Sequence, residues 1–132
     1  MEDKELLKLA EAARANAYAP YSNFLVGAAL LTEDGKVYTG CNIENASYGA
    51  TVCAERTAIF KAVSEGAECI TAIAISGGEE GSAGDVCPPC GICRQVMAEF
   101  CRKDCKIILG NADHCKAYTL SELLPLSFAL PD

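Results

Sequence analysis

The feature that most constrains this chain is the run of residues 87–93, in which a Pro-Pro and a Gly-Ile pair separate three cysteines. Pro88 and Pro89 cannot donate backbone hydrogen bonds, and they disfavour helix in the residues before them. We therefore expect a helix to begin directly after them, which places Cys90 and Cys93 on one face of its first turn. This spacing suits two thiolate ligands of one zinc ion, and the positive end of the helix favours the thiolate form.

A further candidate ligand, Cys53, opens the predicted second helix in the segment Cys53-Ala54-Glu55-Arg56. Three protein ligands and a water are typical of catalytic zinc sites, whereas four closed ligands are typical of structural ones. Arg56 follows Cys53 by three residues and can reach the same side, where it would offset the negative charge of three thiolates. From spacing alone, Cys87 is an alternative partner for Cys90, so a closed four-cysteine site in an interaction module stays open.

Helical and strand patterns alternate along the chain. Apolar residues at helical spacing predict helices at residues 4–17, 52–65 and 91–102. Short apolar runs predict strands at residues 24–31, 36–40, 70–75, 106–109 and 116–120, and residues 42–50 are predicted to form a loop. This alternation indicates an α/β layer sandwich. With 132 residues, of which 51% are hydrophobic, the chain is predicted to form one domain over residues 1–132.

Charge and composition limit the partners and the compartment. Eleven Lys and Arg against 18 Asp and Glu give a net charge of −7, which argues against nucleic-acid binding because a phosphate backbone attracts clustered cations. No apolar run approaches ~18 residues, so we expect no membrane span. The N-terminal residues MEDKE open no apolar segment, so we expect no signal peptide and a cytoplasmic protein. Nine cysteines in that compartment indicate metal binding or catalysis rather than disulfides.

Six segments, taken in order, resemble the small, zinc-dependent, homotetrameric cytidine deaminases. They are residues 19–24 (APYSNF), 26–30 (VGAAL), 40–48 (GCNIENASY), 53–58 (CAERTA), 89–95 (PCGICRQ) and 122–125 (ELLP). A Cys-x-Glu segment followed by Pro-Cys-x-x-Cys is the pattern of zinc deaminases, in which the glutamate is not a metal ligand. The resemblance implies a three-layer α/β/α sandwich with a mixed sheet of about five strands.

The resemblance also implies roles at the reaction centre. Three cysteines would bind one zinc ion per chain: Cys53, Cys90 and Cys93. Glu55 would be the catalytic proton shuttle, and Arg56 would donate hydrogen bonds to the zinc thiolates. The backbone N–H of Ala54 would meet the carbonyl group of the base.

On the substrate side, the resemblance implies that Phe24 packs against the pyrimidine ring. It implies that Asn42 and Glu44 hydrogen-bond to the ribose 3′-hydroxyl. Because side chains alternate along an extended segment, Asn42 and Glu44 can point in the same direction.

The resemblance further implies that neighbouring chains complete each site. Ala46 and Tyr48 lie in a segment that the family uses near the sugar, partly across a subunit boundary. Phe128 matches an aromatic residue that a neighbouring subunit contributes. The implied assembly is a homotetramer with shared active sites.

The expected function is hydrolytic deamination of cytidine and 2′-deoxycytidine to uridine and 2′-deoxyuridine plus ammonia, in pyrimidine nucleoside salvage. A related deaminase of another cytosine compound, such as blasticidin S, is the alternative. The Glu44 carboxylate favours a nucleoside over a nucleotide, because it would repel a phosphate. A polynucleotide-editing deaminase is disfavoured by the net charge of −7.

Overall fold

A mixed five-stranded sheet forms the centre of the fold in the computed structural model, which describes residues 1–131. The strands are β1 (Leu25–Thr32), β2 (Val37–Cys41), β3 (Ile70–Gly78), β4 (Cys101–Gly110) and β5 (Cys115–Thr119). They lie in the order β2-β1-β3-β4-β5. Only β3 and β4 run parallel, and the other three pairs are antiparallel. A hairpin turn joins β1 to β2, as the Asp-Gly pair between two apolar runs predicts.

Helices cover both faces of this sheet. The α-helices are α1 (Asp3–Ala13), α2 (Ala54–Ser64), α3 (Gly91–Phe100) and α4 (Leu120–Leu123). One face of the sheet packs on α1 through a small cluster: Leu6, Leu7, Ala10, Ala29, Ala74 and Ile108. The opposite face packs on α2, α3 and α4 through a larger cluster that includes Leu30, Ile59, Ile73, Met97, Ile107 and Leu120. Alternate residues of each central strand enter the two clusters, so the expected three-layer α/β/α sandwich is confirmed.

Two glycines let helices approach the sheet closely. A Cβ at Gly27 of β1 would lie 2.0 Å from the carbonyl oxygen of Ala10 in α1. A Cβ at Gly40 of β2 would lie 2.5 Å from the backbone nitrogen of Ala58 in α2. Any side chain at either position would push a helix off its face. Gly40 therefore sets how closely α2, which carries part of the functional site, approaches the sheet.

The structure corrects several predicted boundaries. The first helix ends at Ala13 and continues only as a 3₁₀ turn over Arg14–Asn16, so the predicted extension to residue 17 is wrong. Cys101 pairs with Ile70 of β3 and belongs to β4, so helix α3 stops at Phe100 rather than at residue 102. Pairing with a neighbouring strand therefore overrides helical periodicity at this point. No helix within residues 1–131 is long and apolar enough to span a bilayer.

Candidate metal centre and active site

Three thiols converge where α2 and α3 begin. Cys53 is the N-cap of α2, Cys90 is the N-cap of α3, and Cys93 lies in the first turn of α3. Their sulfur atoms all lie within 4.8 Å of one another, and Cys53 Sγ is 3.8 Å from Cys90 Sγ. Cys90 Sγ also accepts the backbone N–H of Cys93 at 3.4 Å. We refer to these three residues as the thiol cluster.

The thiol cluster fits a zinc ion. Tetrahedral zinc–sulfur bonds of about 2.3 Å separate neighbouring sulfurs by about 3.8 Å, which is the distance between Cys53 and Cys90. Thiolates are the soft ligands that zinc prefers. Among residues 1–131, no fourth cysteine, histidine or carboxylate joins the cluster, and Cys87 is not part of it. Three ligands with an open position are typical of catalytic sites, which argues against the four-cysteine structural alternative.

Two partners favour the ionised form of the Cys53 thiol. Hydrogen bonding with Cys93, together with Arg56, lowers the pKa of the Cys53 thiol to about 5. The same bond with Cys53 and burial raise the pKa of Cys93. Arg56 donates from Nη2 to Cys53 Sγ at 3.5 Å and to the carbonyl oxygen of Thr51 at 3.3 Å. The structure therefore places Arg56 beside one of the three thiols that the resemblance gives it as partners.

Glu55 lies next to the thiol cluster and is nearly inaccessible to solvent. It is the second residue of α2 and is 4% exposed. Burial raises the pKa of its carboxyl to about 7, and the charge on Cys53 acts in the same direction. A zinc ion in the cluster would act in the opposite direction, because a nearby cation favours the carboxylate. Spacing alone does not place Glu55 near the thiols, but in the folded chain its carboxyl is close enough to Cys53 and Cys93 for both to affect its pKa.

A second group of residues lies where the segment before β1 meets the segment after β2. Residues 42–44 were predicted to lie in a loop, but they are extended and hydrogen-bonded on both sides. Ile43 exchanges backbone hydrogen bonds with Val52, while Tyr18 bonds to the residues on either side of Ile43. Asn42 and Glu44 are buried and Ile43 is exposed, so the expected alternation along this segment holds.

The Asn42 side chain secures the residues that precede β1. Its Oδ1 accepts the backbone N–H of Val26 at 2.9 Å, and its Nδ2 donates to the carbonyl oxygen of Phe24 at 2.9 Å. These two partners settle the orientation of the amide, because the N–H needs an acceptor and the carbonyl needs a donor. One N–H and one lone pair of Asn42 are left for a ligand.

Glu44 is held by the turn that precedes Phe24. Its Oε1 accepts the backbone N–H groups of Tyr21 and Ser22 at 3.0 and 3.1 Å. Its Oε2 accepts the hydroxyl of Ser22, whose oxygen in turn accepts the backbone N–H of Phe24. The Ser22 hydroxyl lowers the pKa of the Glu44 carboxyl, so the group is ionised at neutral pH. We refer to Ser22, Phe24, Asn42 and Glu44 as the Glu44 network.

Ser22 is a residue to which sequence reasoning assigned no role. It lies in the segment APYSNF that carried part of the resemblance, between the residues for which roles were implied. A serine two residues before the start of an apolar run is also a common turn residue, so the sequence offered no separate signal for it. Its link to Glu44 spans 22 positions and exists only in the folded chain.

The remaining predicted site residues lie at the surface of the single chain. Phe24 is 41% exposed, Tyr48 is 52% exposed, and Ala46 is exposed. The Tyr48 ring meets that of Tyr21 edge-on at 5.9 Å. Phe128 is 65% exposed and lies beside α3, where its carbonyl oxygen accepts a hydrogen bond from Nε2 of Gln95.

The fold and the thiol cluster define a zinc-binding α/β protein with an open metal position. A family model described as the cytidine and deoxycytidylate deaminase zinc-binding region matches residues 1–109. The chain therefore belongs to this deaminase family, which confirms the family predicted from the sequence.

Individual cytidine deaminases are similar to this chain over almost its whole length. A cytidine deaminase of Halalkalibacterium halodurans is 53% identical, with 100% of this chain and 98% of that protein covered. One from Sporosarcina psychrophila is 47% identical, with 100% and 95% covered. The crystal structure of a cytidine deaminase from Burkholderia pseudomallei has a TM-score of 0.88 at 46% identity and covers 97% of this chain and 100% of that chain. The cytidine deaminase structure from Mycobacterium tuberculosis has a TM-score of 0.83 at 41% identity, with 98% and 99% covered.

Proposed function

We propose that this chain catalyses the zinc-dependent hydrolytic deamination of cytidine and 2′-deoxycytidine, as one catalytic domain over residues 1–132. The observation that carries the proposal is the cluster of three thiols with the buried carboxyl of Glu55, two residues after Cys53, close to it. Relatives at 53% and 47% identity that are cytidine deaminases support the choice of substrate. The cellular role that follows is pyrimidine nucleoside salvage in the cytoplasm.

The chemistry requires an activated water and movement of protons. Zinc held by Cys53, Cys90 and Cys93, at one ion per chain, would lower the pKa of a water molecule. Glu55 accepts the water proton and delivers it to N3 of the pyrimidine as C4 is attacked. It then transfers the remaining proton of the attacking oxygen to the 4-amino group, and the C4–N bond breaks to release ammonia as the C4 carbonyl forms. Burial raises the pKa of the Glu55 carboxyl and favours its acceptance of the water proton, whereas a bound zinc ion would lower that pKa and favour release of the proton.

Two features of the chain support recognition of the base. Ala54 is the first residue of α2, so its backbone N–H has no partner within the helix, and we assign this donor to the base carbonyl. Phe24 presents a partly exposed aromatic ring on the substrate side. A donor for the carbonyl and a ring for stacking match a pyrimidine.

Sugar recognition is assigned to the Glu44 network. An ionised, buried carboxylate accepts a hydroxyl donor and repels a phosphate. Glu44 and the amide of Asn42 therefore favour a nucleoside over a nucleotide or a polynucleotide. The net charge of −7 also disfavours the negatively charged nucleotide and polynucleotide.

We also propose that the active enzyme is a homotetramer whose subunits share their active sites. The exposed rings of Tyr48 and Phe128 support this assembly, because large exposed aromatic side chains are common at interfaces. Analytical ultracentrifugation gives the assembly state. Interface variants that force a monomer should be inactive, and an active monomer would contradict the shared-site proposal.

The experiment that tests the function is a panel of cytosine compounds followed by ultraviolet absorbance for loss of the 4-amino group. The panel contains cytidine, 2′-deoxycytidine, cytosine, cytidine 5′-monophosphate and blasticidin S. We expect turnover of the two nucleosides and much slower turnover of the free base and the nucleotide. Preferred turnover of blasticidin S would replace the proposal with the alternative deaminase.

A further inference from the structure

Ser22 links the proposed sugar contact to the proposed base contact. Its hydroxyl donates to Oε2 of Glu44 at 2.5 Å and accepts the backbone N–H of Phe24 at 3.1 Å. The direction of both bonds is settled, because an ionised carboxylate only accepts and an amide N–H only donates. A hydroxyl that donates and accepts at once is polarised by both partners, which strengthens the pair of bonds.

The hydrogen bonds to Glu44 leave room for one further donor. An ionised carboxylate offers about four acceptor positions, two on each oxygen. Backbone N–H groups of Tyr21 and Ser22 occupy both positions on Oε1, and the Ser22 hydroxyl occupies one on Oε2. Glu44 is 3% exposed, and within residues 1–131 no lysine or arginine pairs with it. The remaining acceptor position is therefore on Oε2, next to the Ser22 hydroxyl.

We propose that Ser22 is a positioning residue that determines recognition of the sugar hydroxyl. Its hydroxyl orients the free acceptor position of Glu44. Because the same hydroxyl binds the backbone of Phe24, it also keeps that acceptor position at a constant distance from the Phe24 residue. This inference rests on the proposed function, because it assigns a determinant of substrate choice to the same site. It concerns a residue that would not touch the reacting atoms and acts through Glu44.

A purely local role for Ser22 would be to shape the turn that precedes β1. That turn has other supports, since the backbone N–H of Asn23 bonds to the carbonyl oxygen of Ala19 at 2.9 Å. The two backbone bonds to Oε1 of Glu44 also do not involve the Ser22 side chain. Replacing Ser22 by alanine therefore removes the bonds of the hydroxyl while leaving the turn tied at three points.

The test compares cytidine with 3′-deoxycytidine, which differ only in the 3′-hydroxyl of the sugar. Ser22→Ala should lower kcat/KM for cytidine about tenfold, as expected for a lost hydrogen bond to a charged group. The loss for 3′-deoxycytidine should be at most about a third as large, because the 3′-hydroxyl that Glu44 would bind is then absent. Ser22→Thr should restore most of the activity on cytidine, since it keeps the hydroxyl and position 22 is exposed enough for a methyl group.

Ser64→Ala is the matched control. Ser64 is exposed at the end of α2, and its hydroxyl makes one local bond to the carbonyl oxygen of Lys61. This variant should leave kcat/KM unchanged for both nucleosides. An equal loss on the two nucleosides in Ser22→Ala, no loss at all, or a failure of Ser22→Thr to restore activity would each overturn the inference.

A second measurement separates this inference from the proposed function. Carboxyl ¹³C nuclear magnetic resonance reports the pKa of Glu44 without any turnover, with Glu44→Gln used to assign the signal. The pKa should rise in Ser22→Ala and stay unchanged in Ser64→Ala, because the Ser22 hydroxyl stabilises the carboxylate. If the wild-type protein does not deaminate cytidine, the proposed function fails while this titration still tests the link. An unchanged pKa in Ser22→Ala overturns the inference and leaves the proposed function standing.

Discussion

The thiol cluster and the Glu44 network lie in one chain but are built by different means. The thiols are attached to the first residues of two regular helices, and the packing of those helices on the sheet brings the sulfurs together. The Glu44 network lies on irregular backbone between regular elements, where side chains bond to backbone groups 16 to 23 positions away. A site on regular helices can be inferred from residue spacing, whereas a site on irregular backbone depends on bonds between distant segments.

Removal of a thiol should have the largest effect, and it should act on the thiol cluster alone by abolishing zinc binding. Cys93→Ser deletes a buried member of the cluster, and we expect zinc content to fall from about one per chain to nearly zero, because two thiolates hold the ion far more weakly than three. Activity should be lost with the metal. Cys87→Ser is the matched control and should keep its zinc, as measured by atomic absorption. If Cys87→Ser lost its zinc while Cys93→Ser kept it, Cys87 rather than Cys93 would be a zinc ligand.

The next largest effect should come from a change that leaves the metal bound. Glu55→Gln keeps the size of the side chain but removes the proton-accepting group, so kcat should fall by about 10²- to 10⁴-fold. Zinc content should stay equal to that of wild type. Glu65→Gln, at the exposed end of the same helix, should have near-normal kcat. Near-normal turnover in Glu55→Gln would remove Glu55 from the mechanism.

A moderate effect on stability should arise in the Glu44 network. Asn42→Ala leaves the buried N–H of Val26 and the half-buried carbonyl of Phe24 without their side-chain partner. The free energy of unfolding should fall by about 2–4 kcal/mol, measured by urea denaturation. Asn16→Ala, at an exposed position in the 3₁₀ turn, should change it by less than about 1 kcal/mol. Equal stabilities of the two variants would show that Asn42 does not secure this region.

The smallest effect should be the pH dependence contributed by Glu44. Its pKa is lowered in the folded chain, so below the ordinary value of 4.5 the unfolded chain binds the proton first. The stability that this carboxylate contributes is present above that value and is lost as the pH falls through the folded pKa. Glu44→Gln should therefore show a shallower loss of unfolding free energy below pH 4.5 than wild type. Glu68→Gln, on an exposed loop, should keep the wild-type slope.

Much of the thiol cluster followed from the sequence. The Pro-Pro pair and the Cys-x-x-Cys spacing predicted where α3 begins, and the structure begins it at Gly91 with Cys90 as the cap. The choice between Cys87 and Cys53 as the third thiol stayed open on spacing alone. Only the packing of α2 beside α3 selects Cys53, because a helix interface is not encoded in local spacing.

The Glu44 network was less accessible to sequence reasoning. Alternation along an extended segment predicted that Asn42 and Glu44 share a face. The sequence placed this segment in a loop, however, and did not indicate the backbone hydrogen bonds with Tyr18 and Val52 that hold it. Ser22 was passed over, because a serine before a strand is common in turns of every kind. Hydrogen bonds between distant segments leave no periodic pattern in the chain, so the sequence carried no sign of this one.

The sequence by itself determined the α/β class, the helix that starts after the prolines, and a family resemblance that predicted zinc and cytidine deamination. Those features rest on local backbone preferences and on residue spacing, which act over a few positions. Tertiary structure decided that Glu55 is buried against the thiols and that Ser22 bonds to Glu44. Each of these depends on desolvation or on contact between segments that are distant in the chain, and such terms exist only once the layers of the sandwich have packed.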